Sequence, residues 1–243
     1  MPATDSTDAP ETHLYLIRHG QAVVNVSGAM GGMRGDTGLT ALGRAQAERL
    51  RDRLATGEIR ADVLIASSLP RARETAAIVA PALGLPVLLD DDLQELRVAD
   101  ECDGLPFADY VARYGWVDLA EEPLCPVGPG GESWAAFMLR AASALERIAH
   151  DYAGKTAVVV THGGIVDASL VHFLGLNAHE FPRVRFRTAN TSLTHWSFGY
   201  HLAHGGITGR NQWQLDYYND YHHLSGIESV SAPTLPATAG GDA

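Results

Sequence analysis

Three short apolar runs, set among longer stretches of helical periodicity, constrain this chain more than any other feature of its sequence. His13-Leu14-Tyr15-Leu16-Ile17 is nearly continuous in apolar character, Ala61 to Ala66 is a second run, and Thr156 to Val160 is a third and very apolar one. A run without the in–out alternation of a half-exposed strand belongs in a sheet covered on both faces. Strands of this kind alternating with helices predict an α/β fold, a three-layer α/β/α sandwich around a mostly parallel sheet.

The helical segments carry their own signals. Thr40 is placed to cap a helix whose inner face is Leu42, Ala45, Ala47, Leu50 and Leu54. Ser67 or Ser68 is placed to cap the next, with Pro70 in its first turn, where a missing N–H costs little, and that helix runs to about Ala82. Pro86 to Leu89 reads as a short strand, Glu132 to Tyr152 as a helix, and Ile165 to about Leu174 as another. Arg183 to Arg187, Thr191 to Ser197 and Gln212 to Tyr217 read as antiparallel or edge strands. Between Glu95 and Gly131 the periodicity fades, and Pro, Gly and acidic residues surround Phe107, Tyr110, Tyr114 and Trp116. This stretch is predicted to be a partly helical lid inserted over the end of the sheet, its aromatic residues packing the insertion. The expected organisation is one domain over residues 12–228, with the lid at about 95–131. Flexible tails are expected at 1–11 and 229–243, where Ala, Thr, Asp, Pro and Gly leave little to bury.

Composition excludes several classes of function. At 243 residues and 46% hydrophobic content the chain is long enough to bury a core. Acidic residues outnumber basic ones 29 to 18, a formal net charge of -11, which opposes binding to nucleic acid or anionic lipid. Purely aliphatic stretches are three or four residues long, too short to span a membrane. Cys102 and Cys125 are too few for a disulfide framework and have no metal-ligand spacing. Met1 to Glu11 lacks the basic start and apolar run of a signal peptide. A soluble cytoplasmic protein is expected, without a nucleic-acid or membrane partner.

The chemistry lies at the ends of the apolar runs. Arg18-His19-Gly20 follows the first, Arg71 lies just beyond the second, and the third leads directly into Thr161-His162-Gly163-Gly164. Loops at the carboxyl ends of strands form the site in open α/β sheets. Glycines let backbone N–H groups approach an anion, and a helix starting near Ile165 adds a positive dipole end. Two arginines, two histidines and a helix terminus in an otherwise acidic protein describe a pocket for a phosphoryl group. Any one of these residues alone would read as structural; the joint pattern points to function.

In order along the chain, several blocks resemble the histidine phosphatase (phosphoglycerate mutase-like) superfamily. They are Leu14 to Gln21 with Asn25, Leu39 to Ala47, Ser67 to Ala76, Leu93-Gln94-Glu95, Gly130 to Ser133, Val160 to Gly164, and Asn190-Thr191-Ser192. The resemblance implies a cofactor-independent phosphomonoester phosphatase. His19 would be the nucleophile that becomes phosphohistidine, while Arg18, Arg71 and His162 would hold the phosphoryl oxygens. Glu95 would be the general acid, and Gln21, Asn25 and Gly163 would contact substrate, with no metal and no cofactor. The partner implied is a small phosphorylated metabolite, and a homodimer is compatible with the resemblance. The chain departs from the family at Ala22, where many members carry Ser or Thr. After Glu95, Val98 to Gly104 replaces the common Gly-x-Trp-x-Gly stretch. Asp100, Glu101 and Asp103 are therefore rivals of Glu95. A phosphomutase is the alternative activity, and a non-catalytic phospho-ligand binding module is a second class. The Arg-His-Tyr-Gly that the mutases carry after the acid is missing, which favours a phosphatase. His222-His223 is expected on the surface or in packing, and Arg183, Arg185 and Arg187 on a solvated strand edge.

Overall fold

In the computed structural model, Leu14, Leu16 and Ile17 are fully buried because the strand that carries them, β1 (Thr12–Arg18), lies inside the sheet. The structure describes residues 10–177, 180, 184, 186–202 and 209–227. The further strands are β2 (Val63–Ser67), β3 (Val87–Asp90), β4 (Thr156–Thr161), β5 (Leu193–Leu202) and β6 (Gly209–Asp220), in the order β3-β2-β4-β1-β5-β6. The pairings β3–β2, β2–β4 and β4–β1 are parallel; β5 is antiparallel to both β1 and β6. The sheet is mixed and mostly parallel, as expected.

Both faces are covered, for the reason the apolar runs implied. Leu14, Leu16, Ile65 and Val159 turn to one face, against α5 (Trp134–Asp151) and α6 (Gly163–Phe173), through Phe137, Met138, Leu145 and Ile165. Ile17, Leu64, Val158 and Val160 turn to the other, against α2 (Ala41–Leu54) and α3 (Pro70–Leu83), through Leu50, Leu54, Ala76 and Val79. The period of two along each strand thus feeds two cores. Burying one such side chain fully contributes about 1.5–3 kcal/mol.

Two helix starts follow local capping chemistry. Thr40 Oγ1 accepts the N–H of Gly43, and Ser133 Oγ accepts that of Ala136, each satisfying a donor with no partner inside the helix. At α3 the cap is Leu69, with no side-chain hydrogen bond, rather than Ser67 or Ser68. Both serines lie where tertiary partners claim them: Ser68 Oγ donates to Asp91, and Ser67 Oγ meets His162. Pro70 occupies the first helical position, as expected.

Two further differences bear on the site. A short helix with no capping signal in the sequence, α1 (Val23–Ser27), forms between β1 and the glycine-rich loop at 28–38, with Asn25 Oδ1 accepting the N–H of Ala22. The strand predicted from Thr191 to Ser197 starts at Leu193 and is an interior strand between β1 and β6. Between β3 and α5, helix α4 (Phe107–Tyr114) and its flanks form a small cluster of their own, with Cys102 and Tyr110 buried and Tyr114 packed against them. Trp116 meets Phe107 edge-on at 5.6 Å but is 52% exposed. His222 and His223 part company: His222 Nδ1 faces Asp220, whereas His223 Nε2 lies 3.1 Å from Thr191 Oγ1. Arg187 is exposed, and Arg183 and Arg185 lie outside the described residues, as do most of the expected tails.

Candidate active site

Parallel pairing puts the carboxyl ends of β1, β2 and β4 on one edge of the sheet, and the Arg, His and Ser residues meet there. The register carries on past β1, with the N–H of His19 donating to the Thr161 carbonyl at 2.8 Å. His19 is 3% exposed, His162 fully buried, and their ring centroids are 5.1 Å apart.

Hydrogen bonding distinguishes the two nitrogens of His19. Nδ1 lies 2.7 Å from the Gly20 carbonyl, which can only accept, so Nδ1 carries the hydrogen. Nε2 keeps a lone pair and receives the Nε–H of Arg71 at 3.2 Å. Burial, then the charges of Arg71 and Arg18, hold the imidazole pKa well below its ordinary 6.5. The result is a neutral ring whose Nε2 lone pair faces the Arg71 guanidinium.

Each cation is anchored at one end. Arg18 donates from one terminal nitrogen to the Thr188 carbonyl, while its Nε is buried without a partner. Arg71, 4% exposed, donates through NH1 to Asp36 Oδ2 at 2.9 Å and to the Gly31 carbonyl at 3.2 Å. Asp36 Oδ2 also accepts the Arg71 backbone N–H at 3.1 Å, and its carboxylate is wholly buried. His162 places Nε2 2.7 Å from Ser67 Oγ, and its Nδ1 is buried without a partner. Burial, then the charge of Arg71, also holds His162 below its ordinary pKa.

Glu95 sits at the N-terminus of α6. Its Oε2 accepts the Gly164 N–H at 3.0 Å, and Oε1 accepts that of Leu96 at 3.1 Å. A carboxylate is well placed at that positive helix end. Its segment is held from α5. Arg140 donates to the carbonyls of Asp92, Gln94 and Glu95 at 2.7, 2.9 and 3.2 Å and grips Glu132 with both arms of its guanidinium. Burial opposes the Glu132 charge, yet hydrogen bonds from Arg140 and the Arg97 N–H outweigh it and hold the carboxyl below its usual range.

The rivals of Glu95 fare differently. Asp103 is consumed by backbone donors, accepting from Gly32, Arg34 and Gly35 at 2.8, 2.6 and 2.8 Å. It ties the stretch after Glu95 to the glycine-rich loop. Asp100 and Glu101 are exposed. Gln21 is 7% exposed and accepts the Thr40 hydroxyl at its Oε1, 2.8 Å away. Asn25 serves α1 as described. A Cβ added at Gly163 would lie 3.7 Å from Arg18 Nε, so this glycine borders the same pocket.

Four residues of this architecture escape sequence reasoning: Asp36, Arg140, Asn190 and Thr191. Asn190 Nδ2 donates to the His19 carbonyl at 2.9 Å. Thr191, at φ 56, holds a left-handed conformation that β-branched residues rarely adopt, and its N–H donates to the Arg18 carbonyl at 2.8 Å. Asp36 and Arg140 look like ordinary surface charges in sequence; Arg71, which Asp36 holds, and the 92–95 carbonyls, which Arg140 holds, lie 35 or more positions away. For Asn190 and Thr191 the only signal was the family-like block that contains them.

Gly164 is a sharp test of the carboxylate's placement. A Cβ there would lie 2.1 Å from Glu95 Oε1 and 2.9 Å from Phe137 Cζ. Gly164→Ala is expected to displace Glu95 and lower kcat on alkyl phosphates on the order of 10- to 100-fold. Affinity for orthovanadate should change little, because His19 and the arginines are untouched. An equal loss of vanadate affinity would show that Gly164 shapes the oxyanion pocket instead.

Chemically, an imidazole lone pair beside buried guanidinium groups and a second buried imidazole can receive a tetrahedral oxyanion at this sheet edge. Comparison with known proteins identifies the family. The profile of the histidine phosphatase superfamily (branch 1) matches residues 14–204, and the chain belongs to that superfamily. A probable phosphoglycerate mutase of Yersinia enterocolitica is 30% identical over 215 residues, covering 87% of this chain and 94% of the relative. The structure of a mycobacterial glucosyl-3-phosphoglycerate phosphatase with VO3 matches with a TM-score of 0.65 and 27% identity, covering 85% of this chain and 98% of that one. The phosphoserine phosphatase of Entamoeba histolytica, in complex with 3-phosphoglyceric acid, matches with a TM-score of 0.65 and 26% identity, over 88% of this chain and 99% of the other. No helix among the described residues is long and apolar enough to cross a membrane.

Proposed function

We propose that this protein is a metal-independent phosphomonoester phosphatase that acts on a small phosphorylated metabolite through a phosphohistidine at His19. The observation that carries the reading is a buried guanidinium donor without a partner, Arg18 Nε, and a buried imidazole nitrogen without one, His162 Nδ1, close to the Nε2 lone pair of His19, on which the Arg71 Nε–H rests. Buried polar groups left unsatisfied are costly, and the phosphoryl oxygens of a bound substrate would satisfy them.

The proposed steps use these groups. His19 Nε2 attacks phosphorus as the bond to the ester oxygen breaks, and Arg71 Nε passes from Nε2 to a phosphoryl oxygen. Arg18, Arg71 and His162 offset charge on the equatorial oxygens, which is most of what phosphoryl transfer requires. Glu95 gives a proton to the departing alcohol. The same carboxylate then takes a proton from water, which attacks the phosphohistidine and releases inorganic phosphate and neutral imidazole. Gln21, Asn25 and Gly163 border the substrate, with residues 95–131 as lid and residues 12–228 as one domain. The cytoplasm as compartment and a homodimer as assembly rest on the sequence reading alone.

The test is product analysis across a panel of phosphorylated metabolites. A phosphatase yields inorganic phosphate and free alcohol in equal amounts. A mutase, as one relative's name suggests, yields an isomeric phosphoester, and a binding module yields neither. Chelation with EDTA is expected to leave the rate unchanged, since two guanidinium groups supply the positive charge. A loss restored by a divalent ion would overturn metal independence.

A further inference from the structure

The two nitrogens of His162 have different surroundings, and the difference can be traced to one hydroxyl. Ser67 is the last residue of β2, and its side chain is fully buried. Its Oγ accepts the N–H of Leu69 at 3.3 Å and lies 2.7 Å from His162 Nε2. A hydroxyl has one hydrogen to give. Among the described residues, His162 Nε2 is the one acceptor within hydrogen-bond reach of it, since the other contact of Oγ, from the Leu69 N–H, is one that it accepts. Were Nε2 to carry the hydrogen instead, the Ser67 hydrogen would be buried without an acceptor, and Nδ1 would be a bare lone pair.

We infer that Ser67 is a positioning residue: it donates to Nε2 of His162, fixes that ring as the Nδ1–H tautomer, and so aims an N–H into the phosphoryl pocket. The inference rests on the proposed phosphatase reading for its catalytic meaning, but the tautomer itself does not. The tautomer matters because the ring stays neutral. Burial, and then the charges of Arg71 on α3, Arg18 at the end of β1 and Arg140 on α5, disfavour a second proton. A doubly protonated ring would donate from both nitrogens, whatever Ser67 did. A neutral one donates from a single nitrogen, and that nitrogen has to be the one without a protein partner, Nδ1. The arrangement parallels the one that fixes His19. There a backbone carbonyl holds the hydrogen on Nδ1 to free the Nε2 lone pair; here a hydroxyl occupies the Nε2 lone pair to put the hydrogen on Nδ1.

Nitrogen-15 NMR of the imidazole rings in the full-length protein reads this directly. Wild-type His162 is expected to show a protonated Nδ1 and an unprotonated Nε2 at neutral pH. Ser67→Ala should introduce the Nε2–H form, weaken binding of inorganic phosphate, and lower kcat/KM on the order of 10²-fold, the scale of one lost transition-state donor. Ser67→Thr, which keeps the hydroxyl, should retain the wild-type tautomer and recover most of the activity. Wild-type His162 protonated at Nε2 would overturn the inference, and that measurement needs no variant to fold. So would Ser67→Ala that keeps the Nδ1–H form. If the wild-type protein shows the Nδ1–H ring but turns over no phosphoester, the phosphatase reading fails and the role of Ser67 in setting the ring stands.

Discussion

His19→Ala is expected to abolish phosphate release, with a loss on the order of 10⁴-fold or more, because it removes the nitrogen proposed to attack phosphorus. The fold should survive, since the ring's hydrogen bonds go to Gly20 and Arg71 and its backbone stays paired with β4. Wild-type enzyme quenched under neutral or alkaline conditions with labelled substrate should carry a phosphoryl group that is lost in acid. Full activity in the alanine variant would remove His19 from the mechanism. The pH profile is a second check. Burial and the charges of Arg71 and Arg18 hold the folded-state pKa well below 6.5, so the neutral nucleophile persists on the acid side of that value. The acid limb of kcat/KM is therefore expected below pH 6.5. The same depression affects stability. The unfolded chain binds protons at His19 and His162 that the folded chain refuses, so their contribution erodes as pH falls below about 6.5.

The second large effect concerns Glu95 and the leaving group. An alkyl alcohol leaves poorly as alkoxide and needs a proton as the bond breaks, whereas a nitrophenolate leaves readily without one. Glu95→Gln keeps a carbonyl oxygen to accept the Gly164 N–H but has no acidic proton to give. Single-turnover phosphorylation of His19 should slow on the order of 10²-fold or more with alkyl phosphates, and only mildly with nitrophenyl phosphate. Dephosphorylation should slow as well, so phosphoenzyme accumulates. Equal losses on both substrates would mean that Glu95 only shapes the pocket. No loss on either would return the role to Asp100 or Glu101, since Asp103 is saturated by three backbone donors.

What could be read from residue order is what local chemistry controls. The apolar runs of β1, β2 and β4 lack alternation because both faces are covered, so the layered sheet was legible from hydrophobic pattern alone. Thr40 caps α2 because its hydroxyl oxygen can accept the free N–H of Gly43 while its hydrogen goes to Gln21. His19, His162, Arg18 and Arg71 could be found because strand ends in a parallel sheet share one edge, which links residues distant in sequence through topology.

The rest depended on partners that no local pattern announces. Ser67 and Ser68 look like helix caps, and the fold turns one to His162 and the other to Asp91. Asp103 looks like a possible acid, and the glycine-rich loop takes up its lone pairs. The protonation of each pocket histidine is also decided in three dimensions. The sequence determined that two imidazoles would reach the sheet edge; the Gly20 carbonyl, the Ser67 hydroxyl and the guanidinium of Arg71 decide which nitrogen of each faces the pocket and with what charge. A ring nitrogen's role depends on the few ångströms around it, and those distances exist only once the strands are paired.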